Sequence, residues 1–586
     1  MCGIFARIGV GQSPEAITSA IQRILNRGYD SMGFGGVAGD RSQIIIKSAT
    51  DQQRSFQQWL IEMIKARGDI ARATVVVAHT RWATHGANTV NNAHPHSDMS
   101  GRFLIVHNGI VENSRDIKEH LQNITFASDT DSEVLVQYIG KACEDGMSPI
   151  EAMRSLFNGV AHGTWAVVLL DTHDPDALYI ARRGTPLLLG ISNGGNVTVG
   201  SEQRVFGAGD SLFVVPEDFV GRITENETHH GDMLEIQNEH LDAPRKEEHE
   251  FWTELEILEQ HEILKLVLNQ PVPSVIDRLL SFDHLVIVGC GSSWHAALFG
   301  GKVLRRLKMF ATVHVVDASD FELTDLPRSE SVGFIFVSQS GETYDCIRVL
   351  RLVKRFLCVG IINVRGSLIA RECDHVLYTE CGVENGVAAT KTFTAQVACL
   401  VNIAKVHSPQ LLANLLLDQF RDNIDYLRKT AEGIAHIFDG HHTMILLGKA
   451  LTHSISLEGA LKIKEIAGVH AEAFPAGALK HGPFALLEKA TPVLITILCQ
   501  EHKQSLVSTC EEVHSRLASV LAITNCEDIR DRLSSCIDHV VFIRDTDEVS
   551  AALSSVVFYQ WLAYFMAIRR GLNPDSPRNL AKTVTV

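Results

Sequence analysis

The sequence is short of positive charge: 53 Lys and Arg against 69 Asp and Glu leave a formal net charge of −16. A surface for nucleic acid or an anionic membrane needs a basic stripe to neutralise phosphates, so both are excluded as expected partners. Local basic pockets for small phosphates stay open. Cysteine pairs are also lacking, because the twelve cysteines stand singly with no CxxC. That pattern suits free thiols in a reducing cytosol, and it predicts no disulfide and no structural zinc. No basic segment leads into a long apolar stretch at the N-terminus, and no apolar run reads as long enough to span a membrane. The expected location is cytoplasmic.

What is present is a soluble globular composition, 45% apolar and 21% charged, over 586 residues. That length exceeds one ordinary core and predicts three or four domains. The chain begins Met1-Cys2-Gly3-Ile4-Phe5. If Met1 is removed, Cys2 carries a thiol and a free α-amine on one residue. The amine titrates near about 7.7–8.0 and the thiol near about 8.5, so the amine can take the thiol proton close to neutral pH. No distant histidine is needed. Taken alone, the pentapeptide reads rather as the start of a strand with a small apolar Cys.

Downstream, the pattern predicts a strand over Ile4–Gly9 and a helix over Pro14–Leu25 with Ser13 as N-cap and Pro14 at its first position. Further strands are expected at Gln43–Lys47, Ala73–Thr80, Phe103–Val106, Trp165–Leu170 and Ala177–Ala181, which suggests stacked sheets. Two expected loops at strand ends carry polar groups suited to amide chemistry. In Thr80-Arg81-Trp82-Ala83-Thr84-His85-Gly86, Arg81 can fork onto a carboxylate. In His107-Asn108-Gly109, the Asn amide and the unhindered Gly N–H can both donate to an oxyanion. Asp131 opens an apolar helix, where an N-cap is the common role for Asp.

Together Met1-Cys-Gly-Ile4, Arg27-Gly-Tyr-Asp-Ser31, His79-Thr-Arg-Trp-Ala-Thr-His-Gly86 and His107-Asn-Gly-Ile110 resemble the class II, or N-terminal nucleophile, glutamine amidotransferases. The resemblance implies that Cys2 attacks the glutamine side-chain amide, giving a thioester and ammonia. It places Asn108 and the Gly109 N–H in the oxyanion hole, Arg81 on the glutamine α-carboxylate and Asp131 on its α-ammonium. It further implies that Arg27 helps place the N-terminus, that Thr84 and His85 line the pocket, and that Trp82 gates ammonia.

The charged run from Lys246-Glu247-Glu248-His249 to Gln260 reads as a helical connector whose apolar residues, among them Trp252 and Ile257, dock on a domain while the charged ones form a solvated face with no chemical role. Beyond it the chain is built twice. Leu285–Gly289 with the stretch Ser293 to Leu304 matches Met444–Gly448 with Thr452 to Ile463. Three further strand pairs match: Gly333–Val337 with Val493–Ile497, Cys358–Val364 with Val520–Asn525, and His375–Thr379 with His539–Ile543. Long helical patterns follow at Lys391–Val406 and Glu548–Arg570. Short apolar strands alternating with helices predict two doubly wound subdomains with ligands at strand carboxyl ends. There the first copy places Gly291-Ser292-Ser293 and Ser338-Gln339-Ser340-Gly341-Glu342-Thr343, hydroxyls and helix N-termini suited to a sugar phosphate. Each Ser taken singly is as readily an ordinary N-cap. The duplication and the Ser-Gln-Ser-Gly-Glu-Thr loop resemble sugar isomerase (SIS) domains. Lys449-Ala-Leu-Thr452 replaces the Ser-rich turn in the second copy, so the phosphate is expected in the first.

The helix expected near Ser454 carries Glu458, Lys462, Lys464 and Glu465, with Lys462 and Glu465 sharing a face. His481 follows in Ala476-Gly-Ala-Leu-Lys-His-Gly-Pro483, and the chain closes Pro577-Arg-Asn-Leu-Ala-Lys582-Thr-Val-Thr-Val586. A carboxylate, a His and lysines suit proton transfer between the carbons of a ketose, ring opening and imine formation. Salt bridges are the commoner fate of Glu/Lys pairs. Joined to the amidotransferase part, the pattern resembles the isomerising glutamine–fructose-6-phosphate aminotransferase family over nearly the whole chain. The resemblance implies glutamine and fructose 6-phosphate as substrates, glucosamine 6-phosphate and glutamate as products, an internal ammonia channel, and no metal or organic cofactor. It implies at least a homodimer. It assigns Glu465 to proton transfer between C1 and C2, Lys582 to the imine, His481 to ring opening and Lys462 to the enediolate oxygen. Ser292, Ser293, Ser338, Gln339, Ser340, Thr343 and Val387 fall on the sugar-phosphate site.

The expected fold is thus an α+β N-terminal-nucleophile glutaminase domain of stacked antiparallel sheets, followed by two α/β SIS subdomains, each a parallel sheet flanked by helices. The expected boundaries are 2–219 for the glutaminase, 220–271 for a linker, 272–412 and 434–576 for the SIS domains, and 577–586 for a catalytic tail. Ala389, Ala478, the Leu255-Glu256-Ile257 connector and a tail without a final acidic residue depart from the family pattern. Two alternatives stay open: a paralogue aminating or deglycating another sugar phosphate, and a non-catalytic sugar-phosphate sensor.

Overall fold

The computed structural model describes residues 2–9, 11–49, 52–82, 86–238, 249–408, 417–498, 501–535 and 537–584. The expected pocket residues Thr84 and His85 and the connector residues Lys246-Glu247-Glu248 lie outside them. The chain divides into two units, Met1–Asp242 with Ala581–Val586, and Ala243–Leu580.

The first unit stacks an eight-stranded sheet on a five-stranded one. Their facing side chains, among them Ile4, Ala6, Val75, Val77, Leu104, Val106, Ala166 and Val168, form one apolar layer. The opposite faces are covered by helices, Pro14–Arg23 on the larger sheet and Asp131–Glu144 on the smaller. The N-terminal strand Gly3–Ile8 is central, paired antiparallel with Ala73–Arg81 on one side and Val197–Gly200 on the other. Ser13 caps the first helix through Ala16 N–H, as its sequence predicts. Phe219–Ile223, which crosses into the expected linker, and Leu234–Ile236, inside it, are strands of this unit.

One expected loop is not a loop. The strand predicted to stop at Val106 runs on through Phe103–Val111, so His107, Asn108 and Gly109 are paired with Val167, Ala166 and Trp165. Asn and Gly normally signal a turn. Here Gly109 adopts φ +133°, and a side chain there would meet the Thr164 carbonyl oxygen at 2.1 Å. The missing side chain lets the neighbouring strand close up.

The second unit holds two five-stranded parallel sheets with the same internal order. In the first, Thr312–Asp317, His284–Gly289, Val332–Ser338, Leu357–Ile362 and His375–Tyr378 lie side by side. In the second, the sequence is His470–Pro475, Thr443–Gly448, Pro492–Ile497, Ser519–Thr524 and His539–Phe542. The repeat seen in the sequence is therefore structural. One shared apolar core runs through both copies and includes helices Ser292–Arg306, Lys391–Lys405, Leu451–Ala467 and Glu548–Arg569.

Two exclusions drawn from the sequence are corrected. Glu548–Arg569 is long and apolar enough to cross a membrane by length and composition, but 89% of its most apolar window is buried within the fold. It is apolar on all sides because it is packed on all sides. Cys526 is disulfide-bonded, because spacing along the chain does not fix which thiols meet in space.

Candidate functional site

In the first unit Cys2 sits at the head of the central strand. Gly3 N–H donates to Thr80 Oγ1 at 3.0 Å and Ile4 N–H to Ser201 Oγ at 2.9 Å, so both flanking strands fix the residues after the thiol. The Cys2 sulfur accepts from Trp82 N–H at 3.3 Å. Asn108 Nδ2 donates to the Cys2 carbonyl at 2.9 Å, which brings the expected oxyanion donor beside the expected nucleophile. Burial pushes the Cys2 thiol up, opposed by the Trp82 N–H and the Arg81 cation. A nearby base is therefore needed to expose the thiolate, and a freed α-amine on the same residue would be the shortest route.

Arg81, buried at the end of its strand, turns its guanidinium towards the carbonyls of Gly86 and Ala87 at 3.4 and 3.5 Å. Burial lowers its pKa without endangering its charge. The turn at Gly28 packs against this strand end so closely that a side chain there would meet Arg81 backbone atoms at 2.5 Å. Asp131 is not the N-cap of its helix. Thr130 takes that role through Glu133 N–H, while Asp131 Oδ2 accepts from Val111 N–H at 2.9 Å. Arg27 is paired with Glu202, which Arg204 also contacts at 2.9 Å. Burial disfavours the Glu202 carboxylate, but these two cations outweigh it and hold its pKa below the ordinary value.

In the second unit three of the expected sugar-site residues, Ser292, Lys462 and Glu465, meet in a buried network. Lys462 Nζ donates to Glu465 at 2.5 Å and to Ser292 Oγ at 3.1 Å, and lies 3.4 Å from Glu458. Glu458 accepts from Ser292 Oγ at 2.9 Å and meets His295 Nδ1 at 2.8 Å. Burial opposes both charges. The two carboxylates nevertheless hold the Lys462 ammonium above its usual range, and Lys462 and His295 hold Glu458 below its own. The helix carrying them starts at Leu451, earlier than expected, and its 3.6-residue period puts Glu458, Lys462 and Glu465 on one face. Glu458 and His295 are absent from the expected site. Spacing was the available signal, since Glu458 is one helical turn before Lys462.

Ser292 begins the helix after strand His284–Gly289, and the 338–343 loop follows the adjacent strand Val332–Ser338. Ser338 Oγ accepts from Gly341 N–H at 3.1 Å and meets Thr343 Oγ1 at 3.0 Å, and Ser340 Oγ accepts from Glu342 N–H at 3.1 Å. These hydroxyls hold the loop's own turn. Ser293 Oγ accepts from Gln396 at 3.0 Å, and the Gln339 carbonyl accepts from Asn363 N–H at 3.2 Å. Val387 is buried, and its N–H donates to the Asp575 carbonyl at 3.0 Å. The connector is more than a solvated face: buried Glu256 accepts from the N–H groups of Asn385 and Gly386, the former at 2.5 Å. It thereby anchors the loop that presents Val387. His481 stands exposed on the turn Ala476–His481. Lys582 belongs to the first unit, where its backbone N–H donates to the Asn26 carbonyl at 3.1 Å. Among the described residues no group of His, Cys, Asp and Glu is arranged to hold a metal ion.

Comparison with known proteins follows the same division. The glutamine amidotransferase domain family matches residues 34–218, and the SIS domain family matches residues 279–405 and 437–569. A mimivirus protein (Acanthamoeba polyphaga mimivirus) named probable glutamine–fructose-6-phosphate aminotransferase (isomerising) is 35% identical over the full length of both chains. The enzymes of that name from Pyrococcus horikoshii and Aquifex aeolicus are 34% and 33% identical, again over the whole of each chain. The C-terminal domain of the Francisella tularensis glucosamine-fructose-6-phosphate aminotransferase superimposes with a TM-score of 0.53 at 28% identity, covering 57% of this chain and 100% of that one.

Proposed function

Since the chain belongs to the isomerising glutamine–fructose-6-phosphate aminotransferase family, we propose that it moves the amide nitrogen of L-glutamine onto D-fructose 6-phosphate. The products are D-glucosamine 6-phosphate and L-glutamate. One observation carries the reading: a chain that sets Asn108 against Cys2 also buries a Ser292–Glu458–Lys462–Glu465 network in its SIS part.

Cys2 attacks the glutamine amide carbon, and the oxyanion is met by Asn108 Nδ2 and the Gly109 N–H. Arg81 and Asp131 take the two ends of the amino acid, and Arg27, Trp82, Thr84 and His85 shape the pocket. Collapse of the adduct expels ammonia and leaves a thioester, which water hydrolyses to glutamate. In the SIS part, Ser292, Ser293, Ser338, Gln339, Ser340, Thr343 and Val387 hold the sugar phosphate. His481 opens the ring, Lys582 forms an imine with the ketone that ammonia displaces, and Glu465 carries a proton from C1 to C2. Lys462, held cationic by its carboxylates, supports the developing enediolate oxygen.

The test is to incubate purified protein with L-glutamine and several ketose phosphates and identify products by mass. Fructose 6-phosphate should give one amino-sugar phosphate per glutamate. An amino sugar formed only from a different phosphate would overturn the substrate assignment.

A further inference from the structure

We propose that His79 is a positioning residue for the oxyanion donor: its Nε2–H grips Oδ1 of Asn108 and so turns the Asn108 amide nitrogen towards Cys2. The inference rests on the reading above, in which Cys2 attacks glutamine and Asn108 meets the oxyanion. His79 lies on strand Ala73–Arg81, opposite Ile4 of the N-terminal strand. Asn108 lies on the other sheet. The imidazole bridges the two layers, with Nε2 at 3.1 Å from Asn108 Oδ1 and 3.2 Å from the His107 carbonyl oxygen.

Chemistry then fixes the orientation of the amide. A carbonyl oxygen only accepts, so Nε2 must carry the hydrogen, and a protonated Nε2 needs the oxygen end of Asn108 rather than its NH2. The amide nitrogen is left for the Cys2 side, where it donates to the Cys2 carbonyl at 2.9 Å. Were the amide reversed, a lone pair would face the developing oxyanion. Burial pushes the His79 pKa down to about 3, so the ring keeps one hydrogen at working pH. The Nδ1 atom is buried with no hydrogen-bond partner among the described residues, as an unprotonated nitrogen packed beside a neighbouring ring can be. That neighbour is His94, whose ring centroid is 4.1 Å away, with His96 4.7 Å beyond it. His94 is itself wedged in place: a side chain on Gly33 would meet its carbonyl oxygen at 1.6 Å. These tilted and edge-on ring contacts pack around the His79 imidazole while its Nε2–H holds the amide.

Glutamate release by the full-length protein tests this. His79→Leu should lower kcat about 10–100-fold, a share of what losing an oxyanion donor costs, while KM for glutamine stays within about twofold. His79→Gln, which keeps an N–H donor, should recover most of that loss and keep the wild-type shape of the pH profile. In an Asn108→Ala background, His79→Leu should add nothing, because the group it positions is gone. Losses that add in the double variant, or a loss carried by KM, would overturn the role. Full activity in Asn108→Ala alone would instead sink the underlying site assignment. Should His79→Leu not fold, 15N-histidine spectra of the wild type decide: an Nε2–H tautomer that does not titrate down to pH 5 is expected, and an Nδ1–H tautomer contradicts the proposal.

Discussion

At the scale of single residues, the sequence exposed groups whose chemistry is visible in their type and hid groups whose role is to hold others. Cys2, Asn108, Lys462 and Glu465 could be named because thiols, amides and paired charges announce what they can do. Glu458 could not, since a carboxylate on a helix reads as a surface salt bridge until its complete burial is seen. Its removal is informative. Glu458→Gln leaves Lys462, Ser292 and His295 without their common acceptor charge and should cost on the order of 3 kcal/mol in denaturant unfolding. The sign with pH follows from the depressed folded pKa of Glu458. Its stabilisation is complete above the unfolded carboxylate value near about 4.3 and is lost as pH falls through the lower folded value. Wild type should therefore lose more stability than Glu458→Gln between pH 5 and pH 3. Asp545 works in the opposite direction. Burial, helped by the Asp547 charge, pushes its pKa up to about 6 against the lowering effect of the hydrogen bonds from Ser554 and Asn423, so the native state binds a proton that the unfolded chain releases above about 3.9. The benefit is present below that value and is lost as pH rises through 6. Asp545→Asn should then gain about 3 kcal/mol relative to wild type above pH 6 and little below pH 4, measured by thermal or urea unfolding.

At the scale of elements, periodicity found most strands and helices, and the misses have local causes. The strand through Asn108 and Gly109 was cut short because turn-forming residues are used there for close approach between strands. Asp131 was read as a cap because Asp is common there, but Thr130 reaches the free N–H first. The duplicated helices supply a further comparison. Gly291 precedes the helix of the first copy at φ +55°, ψ −129°, and Ala450 precedes that of the second at φ +55°, ψ −121°. The turn is the same, but only one copy has the residue that adopts it without strain. Ala450→Gly should raise stability by about 1–2 kcal/mol, seen as a higher melting temperature. Gly291→Ala should lower it by a similar amount, since nothing lies within 4 Å of a side chain placed there and backbone strain acts alone.

At the scale of the whole molecule, the proposed reaction has two halves, glutamine hydrolysis and amino-sugar formation, and variants should separate them. Cys2→Ala should abolish glutamate release from glutamine while leaving the binding of fructose 6-phosphate unchanged by calorimetry. Lys582→Ala should abolish amino-sugar formation while leaving measurable glutamate release. Equal loss of both activities in a folded Lys582→Ala protein would contradict the division. The sequence by itself determined the two-part organisation, the internal duplication, the place of Cys2 next to the chain start and the charged helix face. These follow from residue type and short-range spacing, which the covalent chain carries directly. Tertiary structure alone decided that His79 meets Asn108 across two sheets, that Glu458 is buried between Ser292, His295 and Lys462, and that Glu256 anchors the Val387 loop. Each of these joins residues far apart in the chain, and such a pairing is set by the packing of whole layers, which no local window of sequence contains. The same packing supplies the burial that makes His79 a fixed neutral donor and leaves the Cys2 thiol dependent on a base beside it.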